Sequence, residues 1–144
     1  MRPHDPPLVL EGRVAKGFGR GGKLLNCPTA NLRDEDVGDQ LDPHETGVYF
    51  GWIELNGNIY KMATSIGWNP FFKNDKKTVE AHILHEFDAD FYGERVKMVL
   101  CGYIRPELDF PTMESLIEAI ENDKVVSNLA LDLPKYDHFK SYLK

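Results

Sequence analysis

Cysteine is scarce in this chain: Cys27 and Cys101 are its two thiols in 144 residues. One pair so far apart supplies neither a disulfide framework nor Cys-type metal spacing. Long apolar runs are lacking as well, and none approaches the roughly 20 residues that span a bilayer. The opening MRPHDPP is a proline-rich lead-in (1–7) with neither a secretory signal nor an Arg- and Ser-rich transit pattern. These absences together lead us to expect reduced thiols, a cytoplasmic protein and no membrane association. Positive charge is in deficit, with 17 Lys and Arg against 23 Asp and Glu and a net charge of -6. The pI is about 5.3. A nucleic-acid partner calls for a basic face that displaces counterions, so none is expected. Internal repeats and low-complexity blocks are also missing.

What is present reads as one domain, 1–144, expected to be monomeric and long enough to bury about two thirds of its unfolded surface. Leu8 to Ala15 has strand character. Gly47–Leu55 and Ile59–Ile66 are apolar, aromatic-rich runs separated by Asn56-Gly57-Asn58, a strong hairpin signal. Thr78 to Phe87 alternates, with Val79, Ala81, Ile83 and Phe87 on one side and Thr78, Glu80, His82 and Glu86 on the other. Arg95 to Arg105 alternates again and groups Val96, Met98, Leu100 and Ile104. A turn at Gly93 would pair this run with the preceding one, extending an antiparallel meander. From Thr112 the period changes. Thr112 is an N-cap candidate, and Leu116, Ile117, Ile120, Val125, Leu129 and Leu133 suggest an amphipathic helical region over about 112–133, ended by Pro134. The expected architecture is a small β-barrel or sheet with one helical region outside it.

Phosphate chemistry is suggested by VAKGFGRGGKLLNCPTANL (14–32). Gly17, Gly19 and Gly22 satisfy G-x-G-x-x-G, and Gly17, Gly22 and Lys23 satisfy G-x-x-x-x-G-K. Leu24 stands where a P-loop needs Ser or Thr, and Pro28 interrupts the helix that either template requires. What survives is a glycine loop that lets backbone approach a phosphate, with Arg20 and Lys23 adding positive charge. A surface turn is the alternative. In the following PTAN, Thr29 and Asn31 lie at i and i+2, which in an extended segment puts their side-chain oxygens on one face. Two such oxygens suit Mg²⁺ when substrate phosphates and waters complete its shell; the alternative, favoured for these two residues taken alone, is that they hydrogen-bond the chain after the Pro28 turn. Glu80 and His82 share a strand face. His82 and His85, at i and i+3, face opposite ways and do not chelate one metal. Trp68, Phe71 and Phe72 are either core or a platform for an aromatic ring.

GFGRGGKLLNCPTANL, SIGWNPFFKNDKKTVEAHILHEF, DFYGERVKMVLCGYIRPELDF and MESLIEAI occur in this order, and from about Gly12 to Ile120 the chain resembles the riboflavin kinase family. The resemblance implies a mainly β fold, a compact six-stranded antiparallel Greek-key barrel with a C-terminal helix packed outside. It also implies transfer of the γ-phosphoryl group of ATP to the ribityl 5′-hydroxyl of riboflavin, giving FMN and ADP. Mg²⁺ or another divalent cation would be required. By the same resemblance Glu80 corresponds to the catalytic carboxylate, and Thr29 and Asn31 to the metal-facing residues. Gly17, Lys23, Thr29, Ile83, His85 and Tyr92 match ATP-binding positions, while Arg105 and Ser115 match flavin-binding ones. Leu108 departs from the lysine familiar in animal relatives, so a charge contact there should be absent. With no nucleotidyltransferase region in view, the chain is similar to the monofunctional kinases.

Two other readings compete. One is a non-catalytic flavin- or nucleotide-binding barrel, against which Glu80 beside an intact PTAN argues. The other is an OB-like barrel for single-stranded nucleic acid, disfavoured by the acidic charge.

Overall fold

A computed structural model describes residues 2–15, 29–32, 45–68, 77–84, 94–107 and 110–143, and the side chains of all of these but 2–6, 15, 29–32 and 68. Among them the chain is mainly β, with antiparallel strands curled around an apolar interior and helical segments packed outside. The strands are β1 (Arg2–Ala15), β2 (Thr29–Leu32), β3 (Gly47–Leu55), β4 (Asn58–Trp68), β5 (Lys77–Ile83) and β6 (Arg95–Arg105). Helix α1 (Met113–Leu131), the short α2 (Pro134–Asp137) and a 3₁₀ segment, His138–Leu143, follow. The strands pair in the order β1-β2-β5-β4-β3-β6, and β6 pairs β1 in turn.

The β3–β4 hairpin forms where the sequence signals it. Asn56 (φ 53°) and Gly57 (φ 83°) both take the left-handed conformation that the tightest hairpin turns require. Glu54 Oε1 accepts a hydrogen bond from the Gly57 N–H at 3.1 Å. The second expected hairpin does not form: β6 pairs with β1 and β3, not with β5. The proline-rich lead-in also differs from expectation, because Arg2 and Pro3 pair with Tyr103 and Gly102 before the register shifts at Leu8.

Alternation along β6 is broken by two register shifts against β3. Phe50 partners Gly102 while Gly51 partners Leu100, and Val48 partners Arg105 while Tyr49 partners Tyr103. Each extra residue reverses the side-chain parity beyond it. Val96, Met98 and Leu100 therefore point inward with Tyr103, while Ile104, expected beside them, packs outside. Close approach makes this possible: a Cβ on Gly51 would stand 1.9 Å from the Val99 carbonyl oxygen, and one on Gly102 2.2 Å from the Phe50 ring.

Two apolar layers result. The interior layer includes Leu10, Tyr49, Ile53, Met62, Ile66, Val79, Ala81, Ile83, Met98 and Leu100. The outer layer joins Phe50, Trp52, Val99 and Cys101 to Ala130, Leu131, Tyr136 and Leu143 under the C-terminal segments. Trp52 Nε1 donates to the Tyr136 carbonyl at 2.9 Å, and the Phe50 and Tyr136 rings meet edge-on at 4.8 Å. Burial pushes the Cys101 thiol up to about 12, so it stays protonated and inert at neutral pH.

Helix α1 begins with a reciprocal cap in which Thr112 accepts from the Ser115 N–H at 3.1 Å and the Ser115 hydroxyl accepts from the Thr112 N–H at 3.3 Å. Its inward face differs from the expected one. Asp123, Ser127, Ala130 and Leu131 are buried, whereas Val125, Leu129 and Leu133 are exposed. Lys61 of β4 reaches the far end of α1, donating to the Asn128 carbonyl at 3.1 Å and pairing with Asp132. It supplies the cation that the last turn lacks and that a helix C-terminus favours. Pro134 does not end α1, which stops at Leu131; it starts α2, where its missing N–H costs nothing.

Candidate active site

A cleft of about 280 Å³ lies between the outer face of the strands and α1. Its wall is formed by Val48, Ala63, Ser65, Glu80 and His82, its roof by Leu116, Ile120 and Asp123, and its rim by Arg105, Glu107 and Phe110. The strand period creates it. Val79, Ala81 and Ile83 of β5 fill the interior, so Glu80 and His82 are turned outward to the cleft. Across the β4–β5 ladder Ser65 is opposite Glu80, and Ala63 is opposite His82. These small partners leave room for a carboxylate and an imidazole where larger side chains would close the space.

Glu80 sits between strands that bear on its role. Its partner on β4 is Ser65 and its partner on β2 is Asn31, while Thr29 is opposite His82. Antiparallel partners share a face of the sheet, so the PTAN strand runs beside the two polar residues of β5. The Glu80 side chain is 29% exposed and that of His82 8%. Glu80 is thus reachable from solvent and His82 packs behind it, with Nε2 at 3.7 Å from Glu80 Oε1. Among the described residues His82 Nδ1 is buried with no hydrogen-bond partner, an arrangement that costs roughly 1–3 kcal/mol.

The roof is anchored by a buried ion pair. Arg105 Nη2 donates to Asp123 Oδ2 at 2.7 Å and Nε to Oδ1 at 3.0 Å, in the two-pronged geometry that suits guanidinium and carboxylate. Nη1 donates to the Pro106 carbonyl at 3.2 Å, and the Phe110 ring lies 5.5 Å from the guanidinium carbon. Ser127 donates to the Asp123 carbonyl at 2.7 Å. At the rim the Ser65 hydroxyl donates to Glu107 at 3.4 Å. Among the described lining residues Glu80, Glu107 and Asp123 stand against Arg105, an acidic balance. That suits a neutral, hydroxyl-rich molecule better than an anion.

His82 takes up a proton less readily than an ordinary histidine of pKa 6.5. Burial disfavours the imidazolium most; Glu80 and Asp123 oppose this, and Lys124 adds to it. As pH falls below 6.5 the unfolded chain therefore binds this proton before the folded one does. The stability tied to neutral His82 is complete above that pH and is lost as pH falls through the folded value. Denaturant titrations at successive pH values should show this decline, reduced in His82→Phe. An equal decline in both proteins would place the proton uptake elsewhere.

Of the residues singled out in the sequence, Glu80 and Arg105 meet at the cleft. Ile83 is fully buried in the interior layer, so its side chain is not at the cleft. Ser115 is engaged in the cap at the start of α1, beside the cleft-lining Leu116. Thr29 and Asn31 are placed by backbone register only. Gly17, Lys23, His85, Tyr92 and Leu108 lie outside the described residues, as do Phe71, Phe72 and the Gly93 turn. Sequence reasoning missed Asp123, which looked like one more surface acid of a helix, and Glu107. Asp123's only signal is its spacing from Leu116 and Ile120 along one helix face.

These observations define a class of antiparallel β proteins with a cleft on the outer face of the strands and a solvent-reachable carboxylate at its wall. The flavokinase (riboflavin kinase) family profile matches residues 5–131. Riboflavin kinase from Mus musculus is 46% identical over 131 residues, covering 90% of this chain and 84% of that protein. A protein of Arabidopsis thaliana named bifunctional riboflavin kinase/FMN phosphatase is 52% identical over 135 residues, and the match spans 93% of this chain but 36% of that longer protein. The crystal structure of riboflavin kinase from Trypanosoma brucei superposes with a TM-score of 0.71 at 32% identity, covering 96% of this chain and 87% of that one. This chain belongs to the riboflavin kinase family.

Proposed function

We propose that the protein transfers the γ-phosphoryl group of ATP to the ribityl 5′-hydroxyl of riboflavin, giving FMN and ADP. The observation that carries this reading is the placement of Glu80: a reachable carboxylate at the wall of an acidic cleft, directly across from Asn31 of the PTAN strand. Riboflavin is neutral and its ribityl chain is a polyol, which fits that balance of charge. Glu80 orients the 5′-hydroxyl and receives its proton as the oxygen bonds to the γ-phosphorus and the bond to the ADP oxygen breaks. In a loose transition state that proton leaves late, so an ordinary carboxylate suffices.

Thr29 and Asn31 are the residues that would hold Mg²⁺, their hydroxyl and amide oxygens being the hard donors this ion takes. Bound there with the nucleotide, it supplies charge neutralisation on the phosphates, and other divalent cations of similar hardness fit the same donors. Gly17 and Lys23 would cover the phosphates, with Thr29, His85 and Tyr92 around the nucleotide and Ile83, whose side chain is interior, meeting it through the main chain alone. Arg105, steadied by Asp123, and Ser115 at the head of the roof helix would meet the flavin. The same reading takes residues 1–144 as one kinase domain, a closed six-stranded Greek-key barrel working as a cytoplasmic monomer. The return of β6 to lie beside β3, after the β3-β4-β5 run, supports that topology. No described helix is long and apolar enough to cross a membrane.

Chromatography of a reaction containing the protein, riboflavin, ATP and Mg²⁺ tests the activity. FMN should appear in proportion to protein and time. Riboflavin bound without any FMN formed would mean a carrier built on this fold.

A further inference from the structure

We propose that His82 is a positioning residue for Glu80, its Nε2–H directing the carboxylate toward the acceptor hydroxyl; the inference rests on the reading of Glu80 as the base. Three observations carry it. His82 and Glu80 sit two residues apart on β5 and both line the cleft. Nε2 faces Glu80 Oε1 at 3.7 Å, a separation that a small rotation of either side chain converts into a hydrogen bond. Catalytic contacts of this kind are often long before the substrate arrives. Third, Nδ1 is buried and has no hydrogen-bond partner among the described residues.

That third observation argues against a packing role. An apolar ring of similar size would fill the space between Ala63 and the α1 roof without stranding a nitrogen, so the histidine is accounted for by what its other nitrogen does. A neutral imidazole carries one proton. Opposite a carboxylate the proton belongs on Nε2, which leaves Nδ1 as the unpaired acceptor. So arranged, the imidazole fixes the orientation of the carboxylate that faces the ribityl hydroxyl. Asp123 approaches from the roof on α1 and is itself held by Arg105 of β6, so its carboxylate is engaged away from the Nε2–H.

The test uses single-turnover FMN formation beside riboflavin affinity from flavin fluorescence. His82→Phe should fold and bind riboflavin within about twofold of the parent, yet transfer phosphate roughly 10²-fold more slowly, the scale of loss from a misplaced reacting group. His82→Gln, whose amide nitrogen reaches the place of Nε2, should recover most of the rate. His82→Asn, which reaches only the place of Nδ1, should not. In a Glu80→Gln background His82→Phe should add no further loss, because it acts through Glu80. A parent-like rate in folded His82→Phe, equal rates for the Gln and Asn variants, or fully additive losses in the double variant would each overturn the proposal. If Glu80→Gln is slow while His82→Phe is fast, positioning alone falls. If Glu80→Gln itself runs at the parent rate, both readings fall together.

Discussion

Glu80→Gln should leave riboflavin binding intact and slow single-turnover FMN formation by roughly 10²- to 10⁴-fold, the usual range for a positioned general acid or base. The amide keeps the size and much of the hydrogen-bonding shape of the side chain but cannot take the hydroxyl proton. The residual rate comes from holding the phosphates and the flavin in place. Steady-state turnover understates the loss if product release limits the parent, so the transfer step must be watched directly. Unchanged single-turnover kinetics in folded Glu80→Gln would leave Glu80 an ordinary outward residue of β5.

The second large effect is on stability. Asp123→Ala removes the carboxylate partner of Arg105 and leaves a guanidinium, 20% exposed, facing an emptied site. Breaking a buried pair from one side costs roughly 3–5 kcal/mol. The partial exposure of Arg105 points to the lower end, about 3 kcal/mol, or a fall in Tm of roughly 10 °C for a chain of this length. Asp132→Ala is the comparison. Asp132 is itself 64% exposed in its pair with Lys61, so its removal should cost no more than about 1 kcal/mol. Equal losses in the two variants, by calorimetry, would contradict the anchoring role given to the Arg105–Asp123 pair.

Local chemistry was legible in the sequence. Asn56-Gly57 announced its turn because few residues accept two consecutive positive φ values, and the β5 alternation placed Glu80 and His82 on one face because a strand has period two. Partner choice was not legible. A turn at Gly93 is as compatible with a β5–β6 hairpin as with the longer return of β6 to β3, since non-local pairing leaves no mark in a short window. The shifts at Phe50–Gly51 and Val48–Tyr49 were equally hidden, and the first of them puts Tyr103 inside and Ile104 outside. The roof helix misled for a different reason. Hydrophobic pattern favoured Val125 and Leu129, yet the buried face carries Asp123 and Ser127. Burying those two is possible because Arg105 and a helix carbonyl satisfy them, and such pairing across 18 residues cannot be seen from periodicity. Of the site, the sequence pointed to Glu80 and Arg105 through motif resemblance. The acidic character of the cleft came only with the fold, which gathered Glu107 and Asp123 to them.

The central claim is that this cleft holds riboflavin with its ribityl hydroxyl at Glu80. A crystal structure of the protein with riboflavin, Mg²⁺ and ADP tests it most directly. The flavin should lie beneath α1 with its 5′-oxygen about 2.6–3.2 Å from a Glu80 carboxylate oxygen, the reach a general base requires. Riboflavin bound away from the cleft, or in it with the ribityl end turned away from Glu80, would contradict the account.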